Sequence, residues 1–281
     1  MESHDGPKKK GPLVYRQSIW TRATHWLWVV CLFFLLLSGL QIFNAHPALY
    51  IGQQSGFEFD NAILRIGAVN TPEGPRGRTV LFGQAHDTTG ILGMSGPADN
   101  PSYTAFPGAL TIPSFRDLAT GRVVHFFFGW LLVATLFVWF VASLVNGHIR
   151  RDLVPRGADL RNLPGDALDH ARLRFRHGRS YAPLQKFSYV VVFLVLFPLI
   201  VLTGLTMSPG MDAAWPFLVE MFGGRQTART VHFLTMGLLV LFFAVHVLMV
   251  LLAGPLNMLR SMLTGWYRTS PGTPREEGDR S

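Results

Sequence analysis

The sequence predicts an all-α integral membrane protein, a bundle of four transmembrane helices that crosses a lipid bilayer. Of its 281 residues, 49% are hydrophobic and only 15% are charged. The apolar residues concentrate in four runs, each close to the roughly 20 residues that an α-helix needs to cross a bilayer. The predicted spans are residues 20–43, 123–145, 187–207 and 230–254. We expect membrane lipid around all four.

The basic residues predict how these spans are oriented. Eighteen of the 25 Lys and Arg residues fall in residues 1–22, 146–186 and 255–281, which share one side of the membrane if four helices cross it. Positively charged segments stay on the cytoplasmic side, so we expect both termini to be cytoplasmic. The formal charge of +8 is therefore a topology signal, and we expect no nucleic acid as a partner.

The connecting segments differ in length and composition. A long outer loop, residues 44–121, follows the first span, is rich in Gly and Pro, and is expected to form a compact cap. The inner loop, residues 146–186, is polar and rich in Arg. No boundary between domains is evident, so we expect residues 1–281 to form a single membrane domain.

Four histidines lie within the apolar runs. His232 and His246 are 14 residues apart, so both rings leave the same face of a helix, about 21 Å apart along its axis. An imidazole inside a bilayer is costly and normally faces the bundle interior with a partner. The directions of the helices provide partners at matching depths: His125 for His232 near the outer edge, and His25 for His246 near the inner edge.

Paired imidazoles from neighbouring helices are a ligand set for haem iron. Two axial histidines leave no open coordination site, which favours electron transfer over oxygen chemistry. We therefore expect two b haems, an inner one held by His25 and His246 and an outer one held by His125 and His232. Both are expected to be non-covalent, because Cys31 is the single cysteine and the chain has no C-x-x-C-H motif.

Small and basic residues near the histidines are further candidates. Gly39 follows His25 by 14 residues, and we expect it to leave room for the outer macrocycle; helix interfaces in membranes also use glycine for packing alone. Gly129 and Gly237 carry the same two interpretations. The candidates for contact with haem propionates, or else ordinary interfacial arginines, are Arg22, Arg225 and Arg229.

This pattern resembles a known family. His25 in R-A-T-H-W-L-W, His125 in the second span and the H-x13-H pair of the fourth resemble the di-haem b-type cytochrome subunits of bacterial respiratory enzymes. Those subunits anchor formate dehydrogenase, nickel–iron hydrogenase and thiosulfate reductase. The resemblance covers all four spans, and residues 223–232, G-G-R-Q-T-A-R-T-V-H, are more similar to anchors of molybdopterin oxidoreductases. The long loop 44–121 departs from the compact outer loop of many members.

The resemblance implies a multi-pass protein of the bacterial cytoplasmic (inner) membrane. It would pass electrons between a periplasmic redox subunit, a molybdopterin oxidoreductase, and quinone as a diffusible substrate. The chain would then be a non-catalytic electron-transfer subunit, with no catalytic residue of its own. Two alternatives stay open: a stand-alone membrane haem oxidoreductase of the quinone reductase or superoxide-oxidising type, and a haem-free proton-coupled transporter. The candidates for quinone contact are Asn146, Gly147 and His148.

Overall fold

The computed structural model describes residues 11–147, 149, 154, 157–172 and 183–269. Four of its helices are long and apolar enough to cross a membrane. They are α1 (Ile19–Ala45), α2 (Leu118–Val145), a third span over Pro183–Thr206, and a fourth over Arg225–Leu252. The prediction of a mostly helical membrane protein with four spans is confirmed.

The second and fourth helices each begin five residues before the predicted span. The added turns contain Arg122 in one helix and Arg225 and Arg229 in the other. The predicted spans begin after these arginines because they are placed on the apolar runs alone. A helix can continue through polar residues when its first N–H groups find acceptors. At the start of α2 the carboxylate of Asp117 accepts a hydrogen bond from the N–H of Thr120 (3.0 Å). Hydrogen bonds from the side chain and from the N–H of Thr120 lower the pKa of Asp117.

The chain forms two compact units, and each of the four long helices contributes to both. The described residues of the first unit lie in the ranges 11–27, 138–194 and 240–269. The second unit comprises Trp28–Phe137 and Val195–Leu239. His25 and His246 therefore belong to the first unit, and His125 and His232 belong to the second.

The first unit combines helix ends with a small sheet. Strand β1 (Leu13–Tyr15) pairs antiparallel with a strand at Trp266–Arg268, which brings together the two ends of the described chain. The unit also contains α3 (Gly157–Ala171) and α4 (Pro183–Val191). Lys186 of α4 forms an ion pair with Asp159 of α3 at 3.0 Å. These contacts join the loop before the third span to that span.

The third span changes its hydrogen-bonding pattern midway. Helix α4 is followed by a π-helical segment, Val192–Leu196, and then by α5 (Phe197–Thr206). Pro198 lies at the start of α5. Proline has no N–H to donate, and its ring crowds the carbonyl four residues earlier. A π turn next to such a residue accommodates both effects without ending the helix.

Loop 44–121 of the second unit contains a four-stranded antiparallel sheet, which the sequence did not predict. Its strands are β2 (Ala48–Tyr50), β3 (Ala62–Thr71), β4 (Gly74–Leu81) and β5 (Gln84–Asp87), in the order β2-β3-β4-β5. The segment after β5 packs so closely on β4 that a Cβ on Gly77 would lie 2.3 Å from the carbonyl oxygen of Leu92.

A buried cluster fixes the sheet to the helices within the second unit. Phe43 of α1 packs with Leu49, Ile66 and Ala105, and Phe233 of the fourth span packs against them. Short helices α6 (Pro209–Ala214) and α7 (Phe217–Met221) precede that span, α8 (Arg225–Leu252). Thr230 of α8 donates a hydrogen bond to the carbonyl of Tyr50 (2.7 Å). In the first unit, α8 is followed by α9 (Pro255–Thr264) and β6 (Trp266–Arg268).

Candidate functional site

The second unit brings His125 of α2 next to His232 of α8. Their ring centroids are 6.4 Å apart and their planes differ by 59°. Both rings are partly buried. The two histidines that the sequence pairs near the outer edge are therefore neighbours in the structure.

The first unit brings His25 of α1 next to His246 of α8. Their ring centroids are also 6.4 Å apart, with planes differing by 55°. Phe242, one helical turn before His246, stacks on its ring at 5.9 Å. Trp26 presents its edge to His25 at 5.3 Å. Apolar rings thus flank this pair of imidazoles.

The separation of the rings fits a metal ion between them. A transition metal bonds an imidazole nitrogen at about 2 Å, and that nitrogen lies about 1.1 Å from the ring centre, so two axial rings have centroids roughly 6.3 Å apart. Both pairs have 6.4 Å. Imidazoles in direct hydrogen-bond contact would be closer, since their nitrogens would be about 2.9 Å apart. The separation in each pair is therefore large enough for a metal ion between the two rings.

A hydroxyl group on α1 supports the ring of His125. The Oγ of Ser38 lies 3.1 Å from Nδ1 of His125. The same hydroxyl donates to the carbonyl of Phe34, one turn earlier on α1, at 2.6 Å. Ser38 is fully buried. Residues that bond the second nitrogen of a metal-binding histidine fix the tautomer and the orientation of its ring.

A hydroxyl group on α5 supports the ring of His232 in the same way. The Oγ1 of Thr203 lies 3.0 Å from Nδ1 of His232. This hydroxyl donates to the carbonyl of Leu199 at 2.7 Å, and Thr203 is also fully buried. In both histidines the nitrogen near the hydroxyl is Nδ1, which leaves Nε2 for a metal.

Each supporting hydroxyl is followed by a glycine that contacts the same imidazole. A Cβ on Gly39 would lie 3.3 Å from Cε1 of His125, and a Cβ on Gly204 would lie 3.4 Å from Cε1 of His232. Gly39 thus makes room for an imidazole, and its expected role of leaving room for the macrocycle stays a prediction. A Cβ on Gly129 would meet only Leu35, at 3.9 Å, and one on Gly237 would meet nothing within 4 Å.

The surroundings of His25 and His246 are different. Among the described residues, the buried Nδ1 of His25 has no hydrogen-bond partner, and neither has Nε of Arg22 or of Arg260. Arg22 donates from Nη1 to the carbonyl of Leu263 in α9. Unpaired guanidinium N–H groups are suited to anionic oxygens such as carboxylates. The propionates of a haem would satisfy them.

The remaining candidates have other contacts. Arg225 donates to the carbonyl of Met207 (2.7 Å), and Arg229 donates to the carbonyl of His46. Burial, together with the charge of Arg229, lowers the pKa of His46. Asn146 and Gly147 form the turn that ends α2, where Gly147 has a φ of 64°. His148 lies outside the described residues.

Sequence reasoning missed Ser38, Thr203 and Gly204. The signal that could have found them is a short repeat, F-L-L-L-S-G at residues 34–39 and L-I-V-L-T-G at residues 199–204. In both segments a hydroxyl residue and a glycine follow four apolar residues. A polar residue of this kind inside a transmembrane helix generally has a hydrogen-bonding partner on another helix.

Comparisons with known proteins agree with the geometry. The sequence model of the family described as prokaryotic cytochrome b561 matches residues 16–265, which include all four histidines and all four spans. The chain is also 26% identical over 235 residues to the putative protein-methionine-sulfoxide reductase subunit YedZ1 of Azospira oryzae. That alignment covers 83% of this chain and 88% of the relative.

Proposed function

Because the chain belongs to the prokaryotic cytochrome b561 family of inner-membrane b-type haem proteins, we propose that it binds two haems and carries electrons between quinone and a periplasmic enzyme. One haem would lie between His25 and His246, and the other between His125 and His232. Bound haem supplies one-electron chemistry. The chain orients the axial nitrogens, excludes water and provides a surface for the partner.

The observation that carries this proposal is the equal separation of two imidazole pairs. Two pairs of histidines on helices of one chain share a centroid distance of 6.4 Å, which suits a metal and exceeds that of a direct hydrogen bond. Imidazoles that relay a proton by bonding each other directly would lie closer together, and the family to which the chain belongs consists of b-type haem proteins. The distance and the family together favour haem ligation over the transporter alternative.

The proposed partner follows from the relative. The A. oryzae protein is described as a subunit of a protein-methionine-sulfoxide reductase, so we propose a periplasmic reductase of that kind. Reducing a sulfoxide to a thioether and water takes two electrons and two protons, and oxidation of a quinol to a quinone releases the same number. A molybdopterin oxidoreductase as partner rests on residues 223–232 alone and gains no support from this relative.

The sheet in loop 44–121 is the proposed docking surface for that partner. Phe82 is 74% exposed and occupies, with Gly83, the two-residue turn between β4 and β5, where its φ is 47°. A bulky residue in this conformation is strained by roughly 1–2 kcal/mol, and such strain persists where it serves a function. Phe57 and Phe59, exposed by 86% and 62%, lie in the loop between β2 and β3.

The position of this surface supports electron transfer to the His125–His232 pair. The N–H groups of Gln226 and Thr227, in the first turn of α8, both donate to the carbonyl of Gly52 (3.2 Å). The loop that carries Phe57 is thereby fixed to the helix that carries His232. A partner bound there would lie near the His125–His232 pair.

Phe57→Ser and Phe82→Ser should weaken binding of the purified reductase without changing haem content. If these substitutions weaken binding to lipid but leave binding to the reductase unchanged, the proposed docking surface is wrong.

The experiment that tests the proposed function counts haems in histidine variants. His246→Ala and His125→Ala should each retain one haem per chain, because each removes one axial ligand of one pair. His86→Ala is the matched control, since His86 lies exposed on β5 and should leave both haems in place. Two haems per chain in both of the first two variants would contradict the proposed ligands.

A further inference from the structure

The hydrogen of each supporting hydroxyl is already committed to its own helix. Ser38 lies 2.6 Å from the carbonyl of Phe34 but 3.1 Å from Nδ1 of His125. Thr203 lies 2.7 Å from the carbonyl of Leu199 but 3.0 Å from Nδ1 of His232. A hydroxyl has one hydrogen to donate and two lone pairs. Since a carbonyl can only accept, the hydrogen lies on the shorter bond.

The oxygen of each hydroxyl must then act as an acceptor toward the imidazole. A neutral imidazole donates from one nitrogen and accepts at the other. If the hydroxyl accepts, Nδ1 carries the hydrogen and Nε2 carries the lone pair. The hydroxyl contacts thus support, for both histidines, the tautomer that leaves Nε2 free.

We propose that Ser38 and Thr203 are positioning residues that hold His125 and His232 in the Nδ1-protonated form and present Nε2 to iron. This inference rests on the proposed function, because it assumes that these histidines bind haem. The same arrangement occurs on two different helices, with the hydroxyl at one position and a glycine at the next. Its recurrence around the two ligands of one pair indicates a shared role beyond the packing of either helix.

The proposal has an electronic consequence. An acceptor at Nδ1–H makes the imidazole a stronger electron donor, as it does for other metal-binding histidines. A stronger donor stabilises ferric over ferrous iron. Removing the acceptor should therefore raise the reduction potential of this haem. It should also let the ring rotate, which loosens its hold on the iron.

The test is Thr203→Val, which removes the hydroxyl and nearly keeps the shape. Thr206→Val is the matched control, because Thr206 lies on the same helix, is equally buried and donates to the carbonyl of Leu202 (2.8 Å). Thr203→Ser is a second control, because serine keeps the hydroxyl group. In the purified holoprotein, transfer of haem to apomyoglobin should be about tenfold faster for Thr203→Val, the lower end of the usual effect of such partners.

Two results together decide the inference. We expect Thr203→Val to raise the potential of one haem and to speed its loss, while Thr206→Val and Thr203→Ser behave as the unmodified protein. If Thr203→Val has the same rate of haem loss and the same reduction potential as the unmodified protein, the positioning role is overturned. If Thr203→Val and Thr206→Val change both quantities equally, the effect is one of packing and the role is likewise refuted. If His232→Ala itself retains both haems, the proposed function fails instead.

Discussion

The two imidazole pairs have the same separation but different surroundings. In the second unit, Ser38 contacts Nδ1 of His125 and Thr203 contacts Nδ1 of His232, and a Cβ on Gly39 or Gly204 would lie against Cε1 of the same ring. In the first unit, Nδ1 of His25 has no partner among the described residues. Helix packing is thus enough to set the distance between the rings. The orientation of the rings depends on further contacts, which are hydroxyl groups in the second unit and aromatic side chains in the first.

The first unit contains guanidinium groups with one unsatisfied N–H each instead. Nε of Arg22 and of Arg260 is buried without an acceptor among the residues that the structure describes. Burying a charged donor without a hydrogen-bond acceptor is unfavourable, unless a ligand provides the acceptor. Under the proposed function, the hydroxyl groups of the second unit would orient its ligands before haem binds, whereas the carboxylates of haem would complete the first unit. Substitutions that act on one unit alone test this difference.

The largest effect is expected from Gly204→Leu. A side chain there would occupy the space of the His232 ring, since even a Cβ would lie 3.4 Å from Cε1. One haem per chain should be lost, and the visible difference spectrum of the remaining haem should be that of the His25–His246 pair. Gly210→Leu is the control, because a Cβ at Gly210 meets nothing within 4 Å. Equal haem content in both variants would argue against a tight fit around His232.

A smaller effect is expected from Arg22→Leu. If its guanidinium binds a propionate, the loss of a charge-assisted hydrogen bond removes about 1.5–3 kcal/mol, so the haem of the first unit should be released at least about tenfold faster. The other haem should be unaffected. Arg161→Leu, at an exposed position of α3 in the same unit, provides the control. If Arg22→Leu leaves the rate of haem release unchanged, Arg22 does not bind a propionate.

The smallest effect is expected from Trp28→Phe. The indole of Trp28 donates to Oγ1 of Thr135 at 3.1 Å and joins α1 to α2 within the second unit. Losing one neutral hydrogen bond should lower the free energy of unfolding by about 1 kcal/mol. Thermal unfolding should therefore occur at a lower temperature while the spectra of both haems stay as they were. A change in either haem spectrum would show that this contact also shapes a haem site.

The spans were predictable because a bilayer imposes a strong constraint on the sequence. A helix that crosses lipid needs a long apolar run, and a histidine within it needs a partner. The pairing of His25 with His246 followed from helix direction alone. The sheet of loop 44–121 was not predictable in this way. Strands β2 and β5 have only three and four residues, and the longer β3 and β4 contain Gly, with Pro in β4, and are partly exposed.

The supporting contacts were harder to predict than the ligands. Whether Ser38 faces His125 depends on how α1 is rotated relative to α2, and hydropathy does not determine that rotation. Thr203 follows a π-helical segment, which changes the face that later residues of the span present. Gly39 was identified for its place along the helix, but its neighbour is an imidazole.

The most direct test of the central claim is the haem content of the purified, folded protein together with the spin state of its ferric iron. Two bis-histidine haems per chain should give a molar ratio of two and a fully low-spin ferric spectrum, because both axial positions of each iron are occupied. A ratio of one or zero, or a substantial high-spin fraction, would contradict the proposal that each chain binds two bis-histidine haems.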